Sequence, residues 1–216
     1  PEIRGQWSEL GDLDRKQMVH DDQWGKRSAK AGRMYSRVPY RGWIMKISPD
    51  GKTAIPYACG FRSPDGIGFD GDGQLLVTDN QGDWRGTSPL YTVKEGGFYG
   101  HPASLVWRES WAKGDPRKLP VKELDALRTK ETARFPQGEL ANSPAEPVVF
   151  PTTWGPYAGQ TLLGEMNQNR MVRFLPDEVQ GFRQGTLIPM FDGTPLGNGN
   201  HRLAFGPDGT LWVGKT

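Results

Sequence analysis

The sequence predicts an all-β fold of the propeller type, present as a partial propeller, and three observations carry the prediction. Between Gly60 and Pro102 the apolar runs Ile67 to Phe69, Leu75 to Thr78 and Leu90 to Val93 are short, and each is bounded by Gly, Asp, Asn or Pro, as tight antiparallel connections require. The run from His201 to Val213, folded about Pro207-Asp208-Gly209, is a near copy of Ile67 to Thr78, folded about Asp70-Gly71-Asp72-Gly73. Self-similarity of this kind marks a repeat architecture. Finally, 29 Gly, 18 Pro and 8 Trp in 216 residues of 35% hydrophobic content supply many turns and much aromatic packing, closer to an all-β than to a helical protein.

Taken in order, residues 1–41 are polar and rich in charge, with Trp7, Trp24 and Tyr35 as isolated anchors. They read as an irregular N-terminal cap. His20-Asp21-Asp22 offers metal-ligand types, but a solvated acidic turn is the favoured reading of it. Trp43 to Ile47, a Ser48-Pro49-Asp50-Gly51 turn and Thr53 to Tyr57 then form a hairpin, the outer two strands of a blade. The stretch from Gly60 to Pro102 is one blade with its loops attached. The interval from Asp72 to Asp208 fits about three blades at roughly 40 to 50 residues each, or two with a large insertion. The second is favoured, with 106–144 as a mostly irregular or helical insertion, in a single domain that amounts to about three blades. Within the insertion, Val121 to Ala133 is the convincing helix candidate, with Val121, Leu124 and Leu127 spaced for one face. Glu146 to Phe150, Thr161 to Met166, Met171 to Leu175 and Thr186 to Phe191 are four short strands in sequence, the number a blade needs.

Charge and cysteine content narrow the function. With 27 Lys plus Arg against 25 Asp plus Glu the net charge is +2, too small an excess for nucleic acid as the main partner. The single cysteine, Cys59, leaves no intrachain disulfide and too few thiols for a Cys-based zinc site. No apolar run approaches the roughly 20 residues that span a bilayer, and the start carries no signal-peptide pattern. Because the chain opens on Pro1 and closes inside a strand pattern at Thr216, it is expected to be a fragment, with any export signal outside it. There is no phosphate loop, nucleophile elbow or HExxH motif, and spacing assembles no hydrolase triad.

Candidate sites lie at strand ends. Asp79-Asn80-Gln81-Gly82-Asp83 could hold a hard cation through oxygen ligands or form a hydrogen-bonded turn, and taken alone the turn is favoured. Arg62, where an inner strand begins, could clamp a carboxylate or phosphate or pair with a neighbouring acid. His201 and Arg202 precede a second inner strand as Phe61-Arg62 precede the first, so they could reach the central face or serve structure. The glycines of Gly96-Gly97-Phe98-Tyr99-Gly100-His101-Pro102 permit close backbone approach, and its aromatic pair reads as packing.

At these residues the chain resembles the glucose/sorbosone dehydrogenase family, six-bladed propellers related to soluble quinoprotein glucose dehydrogenase. It is closest to the large multidomain members of planctomycete and verrucomicrobial type. The resemblance covers roughly Trp43 to Thr216. Gly60 to Gly66, GFRSPDG, resembles the family's GxRNPxG; Gly96 to Pro102, GGFYGHP, resembles GGNYGWP; and HRLAFGPDG resembles an inner-strand opening and its turn. The resemblance implies pyrroloquinoline quinone (PQQ) and a calcium ion (Ca2+) on the central face, with a sugar or alcohol oxidised by hydride transfer to the quinone. It also implies export to the periplasm or cell exterior, and a c-type haem domain elsewhere in the parent chain.

Residue by residue, it places Arg62 and Ser63 on the cofactor, Ser63 standing where the family has Asn. It places the backbone carbonyls of Gly82 and Asp83 on the calcium, Asp83 standing where the family has Pro. Gln168 or Asn169 occupies the place of a cofactor-contacting Lys, and His201 with Arg202 the place of arginines. Losing a Lys and an Arg removes charge-assisted bonds to a trianionic cofactor, worth about 1.5 to 3 kcal/mol each. The family's proton-accepting His belongs upstream of Arg62, where His20 is not in a matching context. Two other readings remain open: a non-catalytic propeller that binds carbohydrate or a partner protein, and a lactonase-type propeller acting through a central calcium.

Overall fold

The structure is a computed structural model that describes residues 40–81, 86–109, 111, 116 and 119–216. The expected cap at 1–41 lies outside these residues except at Tyr40 and Arg41, and so do His20, Asp21, Asp22, Gly82 and Asp83. The described residues pack as two compact units, one drawing mainly on 40–62 and 94–129, the other on 63–81, 87–93 and 130–216. No helix among them is long and apolar enough to cross a membrane.

The first unit is built on the hairpin β1 (Trp43–Ile47) and β2 (Ala54–Cys59), antiparallel as expected. Its turn is closed by Asp50, whose Oδ1 accepts from the Lys52 amide at 3.1 Å and the Ser48 hydroxyl at 2.5 Å. These bonds hold the Asp50 carboxyl below its ordinary range. The GGFYGHP segment runs parallel to the end of β2, with Cys59 opposite Phe98. Tyr99 donates its amide to the Cys59 carbonyl at 2.7 Å, and Phe61 stacks on Tyr99 with ring centroids 4.9 Å apart. Phe98 and Tyr99 are buried, so the pair packs the interior. Gly60 permits this approach: its φ is +98°, and a Cβ there would lie 2.3 Å from the Tyr99 amide nitrogen, so only glycine fits. A 3₁₀ segment (Pro102–Trp107) and the helix α1 (Val121–Leu127) follow. Leu124 of α1 joins Cys59, Phe98 and Leu105 in one core, each buried large side chain contributing roughly 1.5 to 3 kcal/mol.

The helix is shorter than the expected Val121 to Ala133. Proline sits at its N-cap without a side-chain bond, and only Leu124 is buried while Val121 and Leu127 stay exposed. Seven residues with one anchor are too few to continue alone, and Ala133 instead begins a strand.

In the second unit, β3 (Pro64–Phe69), β4 (Leu75–Asp79), β5 (Ser88–Thr92) and β6 (Ala133–Phe135) form a four-stranded antiparallel sheet in sequence order. β7 (Pro144–Val149), β8 (Thr161–Glu165), β9 (Met171–Val179) and β10 (Phe182–Met190) form the next in the same order. β11 (Asn200–Phe205) and β12 (Leu211–Lys215) open a third, joined to β8 at Asn200 opposite Glu165. This repeated order is that of propeller blades. The span 106–144, expected as an insertion, thus contains the fourth strand of the first sheet. At three residues with an Ala-Arg-Phe sequence, β6 has no alternation long enough to read. The two full sheets pack through Leu76, Leu90, Phe135, Ala141, Leu163, Val172 and Phe174. β5 and β8 are buried along their whole length.

Candidate functional site

Each first strand of the second unit starts with an irregularity. The β3–β4 register shifts between Pro64 and Gly66, the β7–β8 register between Pro144 and Pro147, and the β11–β12 register between Asn200 and Arg202. A bulge leaves one residue unpaired and re-aims its side chain. The residues so placed are Asp65, Ala145 with Glu146, and His201.

The side chains of Asp65 and His201 meet. Nε2 of His201 lies 2.9 Å from Oδ1 of Asp65, and Nδ1 lies 2.9 Å from the Thr216 hydroxyl. Arg202 donates through Nη1 to the Asp65 main-chain carbonyl at 2.7 Å. Glu146 accepts the amide of Leu203 at 2.9 Å through Oε2. Oδ2 of Asp65 is buried without a hydrogen-bond partner. A carboxylate only accepts hydrogen bonds, so Nε2 carries a proton towards Asp65.

The far ends of the second strands carry fixed carboxylates. Asp79, closing β4, accepts the amides of Ser63 at 2.8 Å and Asn80 at 2.9 Å. Glu165, closing β8, is fully buried and accepts amides of Ser143 at 3.0 Å, Asn167 at 2.8 Å and Gln168 at 3.1 Å. The Asn80 side-chain oxygen accepts the Ser143 hydroxyl at 2.8 Å. The oxygens of Asp79 and Asn80 offered for a cation therefore tie loop amides and a neighbouring hydroxyl, in line with the hydrogen-bonded turn. Among the described residues no cluster of three or more His, Cys, Asp or Glu is placed to hold a metal ion.

Gln168 and Asn169 are spent separately. Gln168 donates through Nε2 to the Gly138 carbonyl at 3.1 Å, and Asn169 through Nδ2 to the Thr194 carbonyl at 3.0 Å. Ser63 is exposed beside Asp79.

Arg62 belongs to the first unit, where Gly42 accepts the amides of Gly60 at 3.1 Å and Phe61 at 3.2 Å, and His101 donates its amide to Gly60 at 2.7 Å. This arrangement brings Arg41, Arg62 and His101 together. Burial, reinforced by the charges of Arg41 and Arg62, pushes His101 down to about 3, so its ring is neutral. Burial and the charge of Arg62 also lower Arg41. Two guanidinium groups thus lie close to a neutral ring. Cys59 is a different case: burial pushes its thiol up to about 11, so it is a core residue and not a nucleophile.

Asp65, Glu146, Arg41 and His101 were not legible as site residues. Asp65 lies in Ser-Pro-Asp-Gly, the sequence that forms a true turn at Ser48 to Gly51, and nothing in its spelling distinguishes strand entry from turn.

No protein-family model matches the chain, and no curated protein matches it. Among solved structures it is similar to a glucose dehydrogenase, with TM-score 0.54 and 15% identity over 80% of this chain and 51% of that one. It is similar to the holo form of the pyranose dehydrogenase PQQ domain from Coprinopsis cinerea, with TM-score 0.51 and 14% identity over 86% of this chain and 62% of that one. It is similar to an oxidoreductase (glucose dehydrogenase) from Thermus thermophilus, with TM-score 0.50 and 21% identity over 79% of this chain and 47% of that one. The chain spans about half the length of these structures. Its fold is that of the glucose-dehydrogenase-like β-propellers, present in part.

Proposed function

We propose that the chain is part of a sugar or alcohol dehydrogenase that works with PQQ and calcium. The observation that carries this reading is that Arg41, Arg62 and His101 come together at the GFRSPDG and GGFYGHP motifs. It suits a quinone bearing carboxylates. Arg62 and Ser63 would hold the cofactor from the Gly60–Gly66 motif and Arg202 from the start of β11, while the carbonyls of Gly82 and Asp83 would hold the calcium. When bound, the quinone supplies a two-electron acceptor for hydride. The chain's own residues bind and orient its carboxylates, and the stacked Phe61 and Tyr99 keep the Arg62 backbone in place. The structural likeness to glucose and pyranose dehydrogenases supports the same reading. Action in the periplasm or cell exterior, with a haem domain as electron acceptor, belongs to this proposal.

The test is titration of the full-length protein with PQQ and calcium, followed by dye reduction with aldoses and alcohols. Saturable quinone binding and sugar-dependent reduction are expected; no quinone binding by the intact protein overturns the reading. The alternative reading is a non-catalytic propeller that binds carbohydrate or a partner protein. Arg62→Ala separates the two, abolishing quinone binding under the first and leaving glycan or partner binding intact under the second.

A further inference from the structure

We propose that two copies of this chain associate reciprocally, β12 of each pairing with β1 of the other, so that a four-stranded sheet is completed from two half-sheets. No part of this assembly depends on a cofactor.

The repeat shows what each half-sheet lacks. The two complete sheets run β3-β4-β5-β6 and β7-β8-β9-β10 from first strand to fourth, and the fourth leads into the first strand of the next sheet, as β6 into β7 and β10 into β11. β1 and β2 lead into β3 in the same way, so they hold the places of a third and a fourth strand. β11 and β12 are a first and a second. Among the described residues, β1 pairs only with β2 and β12 only with β11. β1 is therefore a third strand without a second, and β12 a second strand without a third. An open strand edge is a row of unpaired N–H and C=O groups that templates another strand, and a two-stranded hairpin is marginal until it is extended.

Side-chain exposure in the second unit falls on the same two sheets. Register equates Ile67 and Phe69 of β3 with Leu203 and Phe205 of β11, and Leu76 of β4 with Trp212 of β12. Leu203 and Phe205 pack on the preceding sheet, against Phe150, Leu162 and Met171. Leu76 packs on the following sheet, against Leu163, Val172 and Phe174. Their counterparts are bared: Ile67 is 51%, Phe69 61% and Trp212 66% exposed. The first sheet thus shows the face that a preceding sheet covers in the third, and the third shows the face that a following sheet covers in the first. A second copy supplies both covers. Its Trp212 takes against Ile67 and Phe69 the place that Leu76 takes against the second sheet, which continues the sheet-on-sheet packing of the unit. A buried Trp is the kind of anchor that dominates an interface. Because the two surfaces differ, the contact is heterologous; made once in each direction, it leaves neither β1 nor β12 open in either copy, and assembly stops at two chains.

The test is the mass of the full-length protein by sedimentation equilibrium across micromolar concentrations. A mass of two chains is expected; a single chain throughout overturns the proposal, as does an assembly that keeps growing with concentration. Phe69→Lys and Trp212→Glu, on the two different faces, are each expected to weaken association about 30-fold or more. Both side chains are exposed within one chain, and thermal melts check that each variant folds as the wild type does. An equimolar mixture of the two variants is expected to regain the two-chain mass, since one of its contacts is wild type and the other brings opposite charges together. Weakening in only one variant, in neither, or without recovery in the mixture overturns the reciprocal pairing. Amide exchange of the wild type gives a second measurement that needs no variant. Backbone amides of 43–47 and 211–215 are expected to exchange more slowly in the two-chain form than after dilution to single chains, and equal rates overturn the strand pairing.

Discussion

His101 and His201 are the same side chain in opposite settings. His101, in the first unit, is buried near two guanidinium groups, and both its burial and the charges of Arg41 and Arg62 oppose a positive charge on the ring. His201, in the second, is half-buried at a strand start and faces a carboxylate at 2.9 Å. One ring is held neutral by its surroundings, while the other is oriented by its hydrogen bond to a carboxylate. Whether a histidine belongs to structure or chemistry is decided by the sign and reach of the charges around it.

Acid is the strongest way to expose the difference. The folded-state value of His101 is depressed from 6.5 to about 3, so the unfolded chain binds a proton that the folded chain refuses between those limits. His101 therefore contributes no penalty above pH 6.5, and stability is lost as pH falls from there towards 3, by an amount on the order of 4 kcal/mol. Thermal melts at pH 7, 5 and 4 should show this loss, and His101→Gln should flatten it; an equal pH dependence in the variant breaks the comparison.

The second test attacks the frame that holds Asp65. A Cβ on Gly66 would come within 2.3 Å of the Ala145 carbonyl oxygen, where β3 and β7 are packed backbone to backbone. Gly66→Ala should cost about 1 to 3 kcal/mol by overpacking, read from the urea midpoint. It should also remove the Asp65–His201 contact from the histidine NMR spectrum.

Asp65→Asn should cost less, about 1 kcal/mol for one charge-assisted bond in a partly exposed site, measured by urea unfolding. A loss several times larger would mean that the pair is structural and that His201 resembles His101 after all. The smallest effect is expected from Arg41→Met. Burial is the leading cause of the His101 depression and Arg41 a secondary one, so the ring should protonate at a modestly higher pH in an NMR titration. No upward movement would show that Arg41 does not act on His101.

The two histidines also mark where sequence reasoning succeeds. Both stood in motifs visible in the sequence, GGFYGHP and HRLAFGPDG, and His201 with Arg202 was expected at an inner-strand start, where β11 places it. The hairpin at Trp43 to Tyr57 and the four strands between Glu146 and Phe191 were legible because Gly, Pro and Asp punctuate them. The extension of β9 and β10 to nine residues each was not. Their outer halves are largely exposed, Val179 and Phe182 included, and are held by cross-strand pairing and by the Arg183 contacts with Asp70 and Asp72. α1 stopped at Leu127 because only Leu124 found a core.

By itself, the sequence determined the class of fold, since short apolar runs between obligatory turn residues admit only tight antiparallel strands. The tertiary structure alone decided which polar residues meet. Asp65 and His201 are far apart in the chain, and their contact depends on a bulge in each of two strands and on the stacking of successive sheets. A bulge adds one unpaired residue without changing the local pattern of residue types, so it leaves no trace in composition or spacing. Only the packed sheets reveal it.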